Sequence, residues 1–93
     1  MHALVVQLEI EPERRDEALD FLRTRAVPMI SSGAGFVGGT WMLSEDGTST
    51  RSVLVYDSKQ QADEAFARAS HGPQPGAPTR LVSAEVFEVV AQA

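Results

Sequence analysis

The chain has 93 residues, 43% of them hydrophobic and 23% charged, a balance that belongs to a folded globular domain and excludes a disordered chain. Thirteen acidic against eight basic residues leave a net charge of −5, with no Lys/Arg cluster to meet a phosphate backbone, which excludes nucleic acid as the expected partner. The absence of cysteine excludes disulfides, thiolate nucleophiles and cysteine-based metal sites.

Met1 to Ile10 has no basic n-region and places Glu9 after a short apolar run, so neither a signal peptide nor a membrane span is expected, and the expected address is the cytoplasm. Leu4, Val6, Leu8 and Ile10 alternate with more polar positions, which predicts a first strand over His2 to Ile10. Pro12 suits the first turn of a helix, Glu13, Asp16 and Glu17 put negative charge there, and Ala18, Leu22, Arg25/Ala26 and Met29 recur at helical spacing. Pro28 falls inside that pattern and removes one backbone bond, so a kink, or an end and restart reaching Ile30, is predicted there. Ser31 to Gly35 breaks the helix.

Phe36 to Ser44 and Arg51 to Asp57 read as antiparallel strands joined by Glu45-Asp46-Gly47-Thr48, whose Asp-Gly is a hairpin signal. Ser58-Lys59-Gln60-Gln61 fits a capping box, and Ala62, Ala65, Phe66 and Ala69 follow on one stripe of a second helix. His71 to Thr79 is a stiff Pro/Gly connector, and Leu81 to Val90 closes the chain as a fourth strand.

The order βαββαβ predicts a single α+β domain over 1–93, a ferredoxin-like fold with both helices on one face of a four-stranded antiparallel sheet. The opposite face would carry Ala3 and Val5 together with apolar residues of the last two strands, too apolar to face water. A homodimer packed through that open sheet face is therefore expected, all the more for a chain too short to build a large core.

Gly33-Ala34-Gly35-Phe36-Val37-Gly38 matches GxGxxG by letter, but the dinucleotide fingerprint needs a strand before it and a helix after it, and here the order is reversed. A turn followed by glycines at a bulge or close approach is the reading kept, with no bound cofactor. There is no GxSxG elbow, no HExxH and no Walker loop. His2 and His71 are isolated, so no metal site is expected. The run Glu9, Glu11, Glu13, Asp16 and Glu17 reads as a solvated face at a helix start.

Trp41 either walls an apolar pocket and stacks on a flat ligand or serves as core or interface. Tyr56 ends the third strand, where its hydroxyl either binds a substrate oxygen or caps the core edge. Arg51 at the start of the third strand and Arg80 before the fourth either meet an anionic group in the dimer cleft or are solvated or salt-bridged. Parity cannot place Trp41 on one face, because a bulge near Gly38 and Gly39 would swap it.

The whole chain, and especially Pro28 ahead of Gly35-Phe36, then Trp41, then Arg51-Ser52-Val53-Leu54-Val55-Tyr56-Asp57-Ser58 running into an alanine-rich helix, resembles antibiotic-biosynthesis-monooxygenase-like proteins of the dimeric α+β barrel superfamily. The resemblance implies a dimeric barrel. It also implies an oxygenase that oxidises electron-rich polyketide phenols with neither metal nor flavin, the substrate itself supplying the electrons. Trp41, Tyr56 and Arg51 would then furnish the aromatic wall and the groups that hold a phenolate. Haem-degrading relatives carry a tryptophan at the end of the third strand and a histidine about one helix later. Tyr56 and Phe66 stand in this chain instead, so the resemblance argues against haem. The rivals are a non-catalytic homodimer that binds a small apolar or aromatic molecule or modulates an enzyme, and a pure assembly partner.

Overall fold

Alternating apolar residues build β1 (His2–Ile10) in the computed structural model, which describes residues 1–93. Pro12 opens a short 3-10 turn, and α1 (Arg15–Phe21) follows. The chain then widens into a π turn over Leu22–Ala26 before α2 (Val27–Ser31). This is how the sequence accommodates Pro28: the ring lacks an N–H and crowds the carbonyl four residues back, and widening the turn relieves both problems. The Val27 amide accordingly donates to Leu22 O, five residues back. The Thr24 hydroxyl donates to the Asp20 carbonyl at 2.8 Å, a side-chain bond of the kind that bends helices. A kink or restart at Pro28 is thus replaced by a continuous helical path with a π joint.

β2 (Phe36–Leu43) and β3 (Ser49–Tyr56) form the expected hairpin. Gly47 takes φ +74° in its turn. The Asp46 Oδ1 accepts from the Ser44 hydroxyl at 2.7 Å, the Thr48 amide at 3.0 Å and the Thr48 hydroxyl at 2.7 Å. α3 (Lys59–Ala69) begins at Ser58, whose hydroxyl accepts from the Gln61 amide at 3.2 Å as an N-cap should. Ala62 and Ala65 are buried on its inner stripe, while Phe66, expected on that stripe, stands at its exposed edge. β4 (Thr79–Glu88) starts earlier than the apolar run suggests, because Thr79 and Arg80 pair with Ile10 and Glu9.

The sheet order is β2-β3-β1-β4, antiparallel throughout, which is the ferredoxin-like α+β arrangement the patterning predicts. α3 packs on β1, β3 and β4, and α2 packs on β2. Under them Leu4, Leu54, Tyr56, Ala62 and Ala65 form the core. Burying Leu4 alone is worth about 1.5–3 kcal/mol. The alanines let α3 approach the sheet closely.

The opposite sheet face is bare. The cross-strand neighbours Ala3, Val55 and Phe87, and Val5 and Val53, lie on it with Met42 beside them. Met42 and Phe87 are each 45% exposed. No helix is long and apolar enough to cross a membrane.

Candidate functional site

The helix side of β2 and β3 gathers the aromatic residues. Trp41 lies opposite Ser52 and Phe36 opposite Tyr56. Ser52 and Tyr56 are four residues apart on one strand and so point to the same side. Phe36 and Trp41 are five apart, and parity would put them on opposite faces. The register shift between Phe36 and Gly38, which leaves Val37 unpaired, brings them together. The Phe36 and Tyr56 rings meet edge to face at 5.8 Å and 83°. Trp41 packs against the core from the same side, its indole leaning back along the strand over Gly39 and against Leu54. Trp41, Leu54 and the Phe36/Tyr56 pair therefore form one continuous apolar wall.

Tyr56 is the polar handle of that wall. Burial pushes its phenol above the usual range, and the nearby positive charge and hydrogen-bonding capacity of Arg68 oppose the shift without cancelling it. At neutral pH the hydroxyl stays protonated and can donate a hydrogen bond. Arg68 is the residue that sequence reading missed. Its signal was its place seven residues after Gln61 on one flank of α3, and that flank turns toward the helix-to-β2 turn, since Gln61 covers Gly35.

Arg51 lies across the sheet from this wall. It is exposed, opposite Gln7 and Met42, on the bare face. Trp41 and Tyr56 are thus brought to one side, and Arg51 is separated from them by the thickness of the sheet. Arg80 is engaged at the sheet edge with Glu9. His71 follows the end of α3, and His2 faces the helix layer opposite Tyr56, its Nδ1 buried with no partner.

Along α1 only Ala18 is buried. Phe21 is 56% exposed, and Leu43, on the Trp41 side of β2, is 42% exposed. Trp41 itself is half-buried. A separate cleft of about 280 Å³ opens where the 3-10 turn and α1 meet the hairpin, lined by Pro12 to Glu17 and Asp46 to Thr48. Charged and polar side chains dominate its lining, and its Arg14 is already paired with Glu11 and Glu17. That cleft suits ions and water, not an aromatic molecule.

Gly33 to Gly35 lies in the turn from α2 into β2, and Phe36 to Gly38 already belongs to the strand. At Gly35, with φ +76°, a Cβ would fall 1.8 Å from Gln61 Oε1, so the place where a phosphate would have to approach is filled by Gln61. Haem fits no better. The inner stripe of α3 is alanine, and neither His2 nor His71 lies on it. No group of three His, Cys, Asp or Glu side chains lies together.

No family model matches the sequence, and no curated protein matches it. Solved structures do. A monooxygenase of Streptomyces coelicolor, solved in complex with nanaomycin D, is 17% identical with a TM-score of 0.62, over 99% of this chain and 89% of its own. A haem-degrader of Mycobacterium tuberculosis, solved with two haems in its active site, is 20% identical with a TM-score of 0.74, over 100% and 99% of the two chains. A cofactor-independent oxygenase from Streptomyces nogalater is 16% identical with a TM-score of 0.66, over 98% and 94%. Others bear the antibiotic biosynthesis monooxygenase name. Identities this low carry the fold alone: the chain shares the four-stranded α+β fold of these proteins.

Proposed function

We propose that this protein is a cofactor-independent monooxygenase acting on a small hydroxylated aromatic of the polyketide type, and that it works as a homodimer. The observation that carries the reading is the half-buried Trp41 indole, laid over Gly39 on the helix side and continuous through Leu54 with Tyr56. A flat ring system stacked there would rest on an apolar floor. The Tyr56 hydroxyl would donate to one of its oxygens, favouring the electron-rich anion that reacts with O₂. For an anthrone the reaction balances as R₂CH₂ + O₂ → R₂C=O + H₂O. The ring carbon loses two hydrogens and gains one oxygen atom, and the other oxygen leaves as water. All the electrons come from the substrate, so the protein supplies binding, orientation and exclusion of water.

The dimer reading rests on the bare face. Ala3, Val5, Val53, Val55, Met42 and Phe87 make an apolar surface that a second copy would cover by a two-fold contact. Only 10 of 93 residues are buried within the single chain, so its core is thin without such a partner. In that assembly Arg51 belongs to the seam between subunits.

One observation favours the non-catalytic alternative, a homodimer that only binds an aromatic molecule: burial moves the Tyr56 phenol away from the range in which it would act as a base. Titration of Trp41 fluorescence with 1,8-dihydroxyanthraquinone, alongside oxygen uptake with the corresponding anthrone, separates the two. Saturable quenching with uptake that is lost in Trp41→Ala and reduced in Tyr56→Phe supports the oxygenase. Quenching without enzyme-dependent uptake leaves the carrier, and no quenching removes both.

A further inference from the structure

The bare sheet face is not uniformly apolar. Within its strands Glu9, Arg51, Arg80 and Glu85 carry charge. Glu9 and Arg80 answer each other at the sheet edge. Arg51 and Glu85 are both exposed, and neither enters an ion pair of the chain. They stand on the strands to either side of β1, Arg51 opposite Gln7 and Glu85 opposite Val5. Side chains on one face of a sheet point the same way, and here β1 lies between the two. The chain thus leaves one cation and one anion unanswered on the surface that a second copy would cover.

Such a face matches its own copy in one orientation and not in another. With a two-fold axis across the strands, each strand lies on its own copy: β3 meets β3, whose one charge is Arg51, and the unlike charges stay two strands apart. With the axis along the strands, between β1 and β3, β3 lies on the partner's β1 and β2 on the partner's β4, so all four strands are covered. Val53 then falls on the partner's Val5, and Phe87 on the partner's Gly38, a position with room for it, since a Cβ built there meets nothing within 4 Å. Glu85 falls on the partner's Thr40. The partner's Arg51 is then roughly 5 Å away across the strands and roughly 7 Å along them, between sheets about 10 Å apart, a span that a glutamate and an arginine bridge. We infer that Arg51 and the partner's Glu85 form an ion pair, repeated by the two-fold axis, that sets the orientation of one sheet on the other. Burying either charge alone is costly, so the seam favours the one orientation that brings them together. The inference rests on the dimer reading above and adds to it which chemistry selects the partner.

Sedimentation equilibrium of the full chain and its variants tests the pair. Both positions are exposed in the single chain, so the substitutions spare its core. Arg51→Glu and Glu85→Arg should each raise the dimer dissociation constant at least about tenfold, because each sets like charges against each other across the seam. The two substitutions together should return it to within about threefold of the unsubstituted protein, the coupling that a double-mutant cycle reads. A single variant that dimerises as tightly as the unsubstituted protein, or a double variant as weak as the singles, would overturn the pair. If Val53→Lys still gives a monomer in that case, the dimer reading stands without it. An unsubstituted protein that is monomeric at every concentration would remove both.

Discussion

The indole of Trp41 occupies the space that a side chain on Gly39 would need: a Cβ built at position 39 falls 2.9 Å from its Cη2, 3.0 Å from its Cζ3 and 3.1 Å from Cδ2 of Leu54. In a strand, alanine is ordinarily preferred to glycine by roughly 0.5–1 kcal/mol. Here the preference should reverse. Gly39→Ala should destabilise the protein by about 1–3 kcal/mol, the usual cost of overpacking, and shift Trp41 emission to the red as the ring is lifted toward water. Urea titration followed by fluorescence reads both, and an unchanged spectrum would mean that the indole does not lie over Gly39.

The sheet separates Trp41 from Arg51, so their variants should behave differently. Trp41→Ala should abolish binding of 1,8-dihydroxyanthraquinone, read by absorbance or equilibrium dialysis because the fluorophore is gone. Arg51→Ala should leave the affinity within about threefold, well under the 1.4 kcal/mol that a tenfold change represents. A loss of binding in Arg51→Ala comparable to that in Trp41→Ala would place the ligand at the bare face instead.

The fold was legible in the sequence because each element carries a local signal that agrees with its neighbours. These are alternation in β1, Asp46-Gly47 between β2 and β3, the Ser58 cap and the alanine stripe of α3. Three features were not legible, each for a stated reason. Pro28 announces a disturbed helix, but whether the chain kinks or widens depends on packing of α2 against β2. The face of Trp41 depends on a bulge at Val37, and a single inserted residue inverts parity without changing composition. Arg51 was singled out with Trp41 and Tyr56 as a strand-start cation able to meet an anionic group, but it lies on the other face of the sheet. The cation that reaches Tyr56 comes from α3, twelve positions later, where no strand pattern points to it.

Val5 and Val53 are direct cross-strand neighbours at the middle of the bare face, while Leu4 and Leu54, the next residues, hold the core on the other side. Val53→Lys should therefore convert a dimer into a monomer, seen by light scattering, without disrupting the domain's own core. Retention of the dimer would move the interface off this face.

Asp46 organises the hairpin turn through the Ser44 and Thr48 side chains and the Thr48 amide, which together hold its carboxyl below the usual range. A folded-state pKa below the unfolded one contributes stability that is present above the unfolded value, roughly pH 4, and is lost as pH falls through the folded value. Glu17, held low mainly by its hydrogen bonds from Arg14, acts in the same direction. The melting temperature should thus fall below roughly pH 4, and Asp46→Asn should flatten that fall while Glu17 keeps part of it. An identical pH profile in Asp46→Asn would mean that the turn does not depend on the charge of Asp46.

His2 sits between Tyr56 on β3 and Glu88 on β4, and its Nδ1 is buried without a hydrogen-bond partner. A buried polar atom left unpaired costs about 1–3 kcal/mol, whereas an apolar group of similar shape in the same place carries no such cost. His2→Leu should leave the fold intact and raise its stability by up to about 1 kcal/mol, since His2 is only half-buried and only the cost of the unpaired Nδ1 is recovered. Chemical denaturation at neutral pH reads the change. A clear loss of stability in His2→Leu would mean that the imidazole contributes more through its contacts than its unpaired Nδ1 costs.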